Sequence, residues 1–517
     1  MNMKASTLNT VNPDHLTWSS SLDKQRLLDI AVLGGIRLEG LDRMRVTLKM
    51  QLGNQVIRHS FDLYNDTQLE RFTRKAAERL EVGTSVLQHV FNELTEQLED
   101  YRLQAIKDKQ SSRIIKKTLS KKEIDNALKY LKGKGLMKRT GADIGTSGVV
   151  GEEINRLLMY IIFTSRKTAR PLHVISFGSS GTGKTHLQER VGELMPEEDR
   201  IELTTLSENA FYYFGQQELK NKLILIEDLD GAENVLYPLR ELMSKRRISK
   251  TIAHKTKSGE TKTLHLVVEG PVSVAGCTTK DKVYEDNANR SFLLYLDESE
   301  AQDRRIMDHQ KKISAGKINI DQQIKISSLL QNCQRVLKPV LVRNPYAEQL
   351  ELPKEVFKPR RTNGHYLALI EAVTFYHQYQ REEKADEQTG EIYIETTTED
   401  IAATNELIKE VLLRKSDELS GACRRYLERL KDHLRTKDKN EFTNLEIRKA
   451  LRVNAQSQKR YNIALRQGYF MRVKSGSKAT GYTYEIVSEQ EYKSLKTSID
   501  KLLDSTLEAL EGGSVVQ

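Results

Sequence analysis

Gly178-Ser179-Ser180-Gly181-Thr182-Gly183-Lys184-Thr185 is a complete G-x-x-x-x-G-K-[ST] sequence, and its surroundings decide the fold. An apolar run, His173-Val174-Ile175-Ser176-Phe177, precedes it, and a helix-like pattern from His186 to Leu194 follows. Strand, glycine loop and helix in that order make a phosphate-binding loop. The glycines let the backbone wrap closely, so that its N–H groups point at the phosphates of a nucleotide. The helix N-terminus adds partial positive charge at the same place. Lys184 is expected to reach the β- and γ-phosphates and Thr185 to ligate Mg²⁺. The expected ligand is ATP with Mg²⁺.

Two more strands complete the expected site. Leu223-Ile224-Leu225-Ile226-Glu227-Asp228-Leu229-Asp230 is an apolar run that ends in acids. In a parallel sheet those acids fall beside the phosphate loop. Glu227 and Asp228 are therefore expected to share two tasks, holding the Mg²⁺ shell and activating the attacking water. Val272-Ser273-Val274-Ala275-Gly276-Cys277-Thr278-Thr279 runs from apolar to polar in the same way. Thr278 and Thr279 are candidates for contact with the γ-phosphate or the water. Arg290 stands just before another apolar run, Phe292 to Leu296. Between the acidic run and the threonine run, Arg247 to Leu266 alternates polar and apolar residues around Lys257-Ser258-Gly259-Glu260, which predicts a hairpin. Lys255, Lys257 and Lys262 cluster at its tip, as a loop gripping a phosphate backbone requires.

The composition limits the classes open to the chain. Its 517 residues are 38% hydrophobic and 30% charged, enough for several packed cores. No apolar run is long enough to span a bilayer. Met1 to Trp18 lacks the basic-then-apolar order of a secretory signal, so a cytoplasmic protein is expected. Cys277, Cys333 and Cys423 are far apart and form neither a zinc motif nor a disulfide framework. The net charge of +10 is concentrated. Lys107–Arg139 holds 12 basic and 3 acidic residues, and Lys431–Lys478 holds 13 basic and 4 acidic. Two basic zones on a mildly acidic body point to contact with a polyanion.

Outside the phosphate-loop segment the pattern gives three further units. Residues before about Leu22 are polar and expected to be loose. Arg43–Met50 and Ile57–Leu63 predict a hairpin about the Leu52–Gln55 turn, followed by helices at about Gln68–Leu80 and Ser85–Gln104. Ser120 and Glu123 form a capping box for a helix over Lys121–Leu131, after which Gly133, Gly135 and Gly141 suggest a linker. Near the C-terminus, Asn444–Arg452 and Ser457–Arg466 predict two short helices before strands at Phe470–Lys474 and Tyr482–Val487. That order predicts a winged helix. Lys459 and Arg460 would enter a DNA groove, and Lys474 and Lys478 would contact phosphates.

The sequence of elements resembles the AAA+ core of minichromosome maintenance (MCM) helicases. Gly178–Thr185, Asn209–Phe214, Leu225–Gly231 and Asp286–Leu296 also resemble the ATPase part of primase-associated, helicase-like proteins of bacterial mobile elements. The resemblance covers about Gly148–Leu503. It implies an arginine finger at Arg290 that acts on a neighbouring subunit's γ-phosphate. It implies a nucleotide-sensing arginine at the start of a lid helix, Arg361 before Arg360, and a ring of identical subunits, hexameric in the family. The Glu-Asp order at Glu227-Asp228 departs from the usual Asp-Glu. The zinc cluster and acidic domain of priming members are absent, so priming is not expected.

The expected fold is multidomain α/β. A small α+β domain spans 1–105, a basic linker 106–146, an AAA+ P-loop core with a parallel sheet 147–340, a helical lid 341–436, a winged helix 437–495 and a terminal helix or tail 496–517. The expected function is an ATP-dependent DNA motor, a replicative helicase of a mobile element, acting on single-stranded or forked DNA with a primase or recombinase as partner. Two other classes stay open. One is an ATP switch that remodels DNA or recruits a transposase or recombinase without unwinding. The other is a sequence-specific DNA-binding regulator assembled by ATP.

Overall fold

Alternation of inward apolar and outward polar residues builds a five-stranded antiparallel meander from Asn9–Asn12, His15–Ser21, Leu27–Leu33, Arg45–Leu52 and Gln55–Asp62. The predicted turn is present, with Leu52 paired to Gln55 and Gly53 at φ +56°. Helices Asp66–Leu80 and Thr84–Ser111 cover the sheet with Phe72, Ala76, Leu87, Phe91 and Leu94. The expectation of a loose start fails for residues 9–12 and 15–22, the described part of that stretch. His15–Ser21 is a central strand whose Leu16 and Trp18 are buried, Trp18 to 1% exposure. Its polar composition hides a strict two-residue period, and the period governs which face is buried.

The computed structural model describes residues 9–12, 15–22, 26–37, 43–111, 117–178, 180–204, 210–230, 236–255, 261–279, 289–477, 481–487 and 490–513. They form two units, Met1–Lys116, which holds the meander, and Lys117–Gln517.

The second unit begins where a linker was expected. Lys121–Lys132 starts at the predicted capping box, Ser120 accepting from the Glu123 N–H. It is followed by a second helix, Leu136–Thr146, and Ala127, Leu131, Leu136 and Ile144 enter the main core. The glycines do not break this second helix. The Arg156 guanidinium lies over Gly145 and donates to the Gly141 carbonyl at 2.7 Å, space that a side chain would fill. The part of the basic zone from Lys117 to Arg139 thus belongs to the folded unit.

Five parallel strands form the central sheet, in the spatial order Phe292–Tyr295, Val174–Phe177, Val272–Thr278, Lys222–Ile226, Arg200–Leu203. Successive residues serve opposite faces. Val174, Leu223, Leu225 and Ala275 join one core, and Ile175, Phe177, Ile224 and Val274 join another. Burial on both faces explains why these strands read as continuous apolar runs. The register sets Cys277 beside Ser176 and Gly276 beside Ile226. The phosphate-loop, threonine and acidic strands therefore end at one edge, the threonine strand between the other two.

The predicted hairpin is present as Arg247–Lys255 and Thr261–Glu269, in continuous antiparallel register from Arg247↔Glu269 to Lys255↔Thr261. Beyond the sheet come helices Glu300–Ser314, Ile320–Val336, Pro359–Tyr376, Thr398–Ser416 and Gly421–Thr436. Asn444–Leu451, Ala455–Gln467 and the strand pair Met471–Ser477 and Gly481–Ile486 follow, with Glu441–Thr443 as the third strand. Their core holds Phe442, Ile447, Leu465 and Tyr484, shared with Leu427 and Leu430 of Gly421–Thr436. Glu491–Gly513 then returns to the main core through Ile499, Leu503 and Leu510. Among the described residues, no helix is long and apolar enough to cross a membrane.

Candidate nucleotide site

The loop after Val174–Phe177 has the backbone a phosphate cradle needs. Gly181 and Gly183 take φ +84° and +87°, conformations costly for any residue with a Cβ, and open space lies where that Cβ would be. At Gly178 an added Cβ would stand 2.7 Å from the Thr182 hydroxyl. Lys184 is buried, and its Nζ donates to the Gly178 carbonyl at 2.9 Å. Ser179 lies outside the described residues.

A cleft of about 410 Å³ opens here, lined by Ser180, Gly181, Gly183, Lys184, Thr185, Glu227, Asp228, Cys277, Thr278 and Thr279 among others. The chain thus brings together the three groups that its sequence set apart. Helix Lys184–Gly192 starts at the loop and directs its first N–H groups into the cleft. Two exposed carboxylates, a hydroxyl and an ammonium suit a nucleotide whose Mg²⁺ keeps waters and phosphate oxygens as most of its ligands. Glu189, on the same helix, is raised above its ordinary value by burial and by the Glu227 charge.

Three groups that the sequence reading assigned no role hold the acidic loop in place. Leu229 donates its N–H to the Cys277 carbonyl at 2.9 Å, and its side chain packs over Gly276, where a Cβ would stand 2.7 Å away. Gln188 donates to the Ile226 carbonyl at 3.1 Å and accepts from the Cys277 thiol at 3.5 Å. Burial pushes that thiol up to about 12, so it stays protonated and packs as a small apolar group. Asp230 accepts from the Thr278 hydroxyl at 2.5 Å, the Thr279 N–H at 3.0 Å and the Thr279 hydroxyl at 2.7 Å. Gly276 in a strand was the one readable signal, because glycine there marks a close approach.

Arg290 and Arg361 are not in this cleft. They meet in a second one of about 330 Å³, with Pro171, His173, Ser244 and His365. Arg290 Nε donates to the Ser244 hydroxyl at 2.6 Å. Arg361 lies in the first turn of Pro359–Tyr376, next to Arg360, and is exposed. Pro171 and His173 precede Val174–Phe177, whereas the phosphate loop follows it. The two clefts are therefore at opposite ends of the sheet, about 13 Å of strand apart at about 3.3 Å per residue. Burial pushes the His173 imidazole down to about 4, and burial with the nearby Lys415 charge holds His365 well below its ordinary value. Arg290 and Arg361 thus supply the positive charge of that cleft near neutrality.

Of the expected DNA contacts, Lys459 and Arg460 are exposed on Ala455–Gln467, Arg460 lying 5.3 Å from the Tyr461 ring centroid. Lys474 is already engaged, its ammonium pairing with Glu441 and Glu485. Lys255 and Lys262 are in the two hairpin strands beside the tip. Lys257 and Lys478 lie outside the described residues.

Residues 118–338, less than half of the chain, match the family described as the MTBMA_p00010 P-loop domain. Solved structures similar to this chain include a full-length MCM homolog from Methanopyrus kandleri, at 14% identity and a TM-score of 0.38. That alignment covers 58% of this chain and 64% of the other, so less than two thirds of the homolog is spanned. The active helicase Cch of SCCmec type IV aligns at 10% identity and a TM-score of 0.29, over 96% of this chain and 99% of its own. The apo C-terminal region of NrS-1 aligns at 12% identity and a TM-score of 0.22, over 72% and 77%. No curated protein matches the chain.

Proposed function

We propose that this chain is an ATP-driven motor on DNA, a replicative helicase of a mobile element that works as a ring of identical subunits. The observation that carries this reading is the separation of the two clefts. Lys184, Thr185, Glu227 and Asp228 line one end of the sheet, and Arg290 and Arg361 line the other. An arginine pair that cannot reach its own subunit's phosphates suits the nucleotide of the next subunit. There it would stabilise the charge that develops as the γ-phosphoryl leaves.

Each residue then has a task. The loop N–H groups and Lys184 hold the β- and γ-phosphates. Thr185 and one of Glu227 and Asp228 hold the Mg²⁺ shell, and the other acid orients the attacking water. The helices from Pro359 to Ser416 act as the lid, carrying Arg361 on their first turn. Two nine-residue strands at Arg247–Lys255 and Thr261–Glu269 support a reading of the hairpin as a pore loop with a basic tip. The helix, helix, strand pair order at Asn444–Ile486 supports a winged helix that presents Lys459 and Arg460 to DNA.

Strand displacement on forked DNA with ATP, beside Lys184→Ala, tests the motor. Unwinding by the wild type alone is expected. The variant with Lys255→Glu, Lys257→Glu and Lys262→Glu should keep basal ATP turnover and lose its stimulation by DNA. Turnover that survives Lys184→Ala sinks the site. DNA-stimulated turnover without unwinding replaces the helicase with an ATP switch that recruits a recombinase.

A further inference from the structure

Asp230 stands two residues beyond the acid pair and bonds to Asp228, Thr278 and Thr279, all of which line the phosphate cleft. Its carboxylate accepts three hydrogen bonds, from the Thr278 hydroxyl, the Thr279 N–H and the Thr279 hydroxyl, at 2.5, 3.0 and 2.7 Å. Its own N–H donates to Asp228 Oδ1 at 2.8 Å. One residue therefore ties the end of the acidic strand to the end of the threonine strand.

The direction of these bonds has a chemical consequence. An ionised carboxylate only accepts, and a threonine hydroxyl has a single proton. With that proton given to Asp230, the Thr279 oxygen offers lone pairs to the cleft and no donor. Its N–H is committed to the same carboxylate. Lone pairs repel the oxygens of a γ-phosphate, whereas they accept a hydrogen bond from water. Thr279 is exposed and lines the cleft with Glu227 and Asp228.

Building on the nucleotide reading above, we infer that Asp230 is a positioning residue that makes Thr279 an acceptor for the attacking water rather than a donor to the γ-phosphate. Water held between Thr279 and one of the acids gives one proton to each hydrogen bond and keeps a lone pair for phosphorus. As its oxygen bonds to the γ-phosphorus, the bond from that phosphorus to the bridging oxygen breaks. The electron pair leaves with the diphosphate, and the water's proton passes to the carboxylate. Thr278, buried behind Thr279, fixes the other oxygen of Asp230 and so the angle at which Thr279 is presented.

The test uses the full chain and four variants: Thr279→Val, Thr279→Ser, Asp230→Asn and the Asp230→Asn/Thr279→Val double. Single-turnover ATP hydrolysis is measured beside the Kd values of ATP and ADP. Thr279→Val should slow hydrolysis by about 10- to 100-fold, the scale of losing one hydrogen bond to a water that is gaining charge, with both Kd values within about twofold of wild type. Thr279→Ser should restore most of the rate. Asp230→Asn should slow hydrolysis similarly, and the double variant should be no slower than the worse single, because both changes remove one unit. A Thr279→Val variant that loses tenfold or more in ATP affinity while keeping ADP affinity makes Thr279 a phosphate donor and overturns the inference. So do unchanged hydrolysis in Thr279→Val and multiplied effects in the double variant. If Asp230→Asn does not fold, the Val and Ser pair decides alone. Failure of the underlying reading shows separately, as turnover that survives Lys184→Ala.

Discussion

Gly421 packs against the ring of Tyr295, so closely that a Cβ on the glycine would overlap the ring carbons. Tyr295 ends the edge strand of the central sheet, and Gly421 opens the helix that carries the C-terminal module. Nearby, Arg425 pairs with Glu298 at 2.6 Å and donates to the Leu296 carbonyl at 3.4 Å. The missing side chain lets the module's first helix seat on the strand end. Gly421→Ala is expected to cost about 1–3 kcal/mol, the usual result of overfilling a packed contact. Thermal unfolding checks this, and a variant within about 0.5 kcal/mol of wild type refutes the close packing.

Asp400 sets a pH limit on the same unit. It is fully buried, and burial alone would raise its carboxyl. Hydrogen bonds from His377 and Arg381 outweigh that and hold it at about 2, below the ordinary 3.8. Arg381 contributes two contacts, at 3.0 and 2.6 Å. A carboxyl depressed in the fold stabilises it above the unfolded value and loses that contribution as pH falls through the folded one. About 2 kcal/mol is therefore expected to disappear between about pH 4 and pH 2. Asp400→Asn should be less stable at neutral pH by about 3–5 kcal/mol, because the Arg381 guanidinium, 10% exposed, loses its charge partner. It should also lack this acid-side slope in denaturant titrations across that range.

The split between the two clefts predicts complementation. Arg290→Ala and Lys184→Ala should each abolish ATP turnover alone, yet an equal mixture should regain it. An Arg290→Ala subunit keeps its phosphate loop, and a Lys184→Ala neighbour supplies the arginine. Random mixing makes about one junction in four competent, so about a quarter of wild-type turnover is the ceiling if junctions act independently. A mixture as inactive as its parts contradicts action between subunits.

Lys459 and Arg460 should behave differently from Lys474 on DNA. Each of the first two, changed to Ala, should weaken binding and flatten the log–log salt dependence by about 0.7–0.9 for each phosphate that is no longer neutralised. Lys474→Ala should change the slope less, because its ammonium already faces Glu441 and Glu485. Anisotropy titrations at several salt concentrations separate the three.

Much of this was readable because short-range pattern and local structure agree. The phosphate loop, the acidic strand, the Leu52–Gln55 turn and the Ser120–Glu123 cap each occupy a few consecutive residues whose chemistry allows one conformation. The failures came where a residue's meaning depends on a distant partner. Gly141 looks like a helix breaker until Arg156 is seen donating to its carbonyl. His15–Ser21 looks like polar coil because serine and threonine occupy its outward face. Asp230 looks like one more acid in a short run, since nothing local shows that Thr278 and Thr279 end beside it. Arg361 carries no local sign of the sheet end it faces.

The return of Glu491–Gly513 to the main core has a consequence for how the chain acquires its structure. Ile499, Leu503 and Leu510 belong to the same cluster as Val174 and Leu187, more than 300 residues earlier. Within that cluster the segment packs on the helix Thr398–Ser416, where Asn405 donates to the Leu503 carbonyl at 3.4 Å. Closing so long a loop slows the final condensation, because its entropy is lost before the packing forms. During that interval the apolar side of Thr398–Ser416 that it covers faces solvent, which makes residues 491–513 the element that ends this exposure to aggregation.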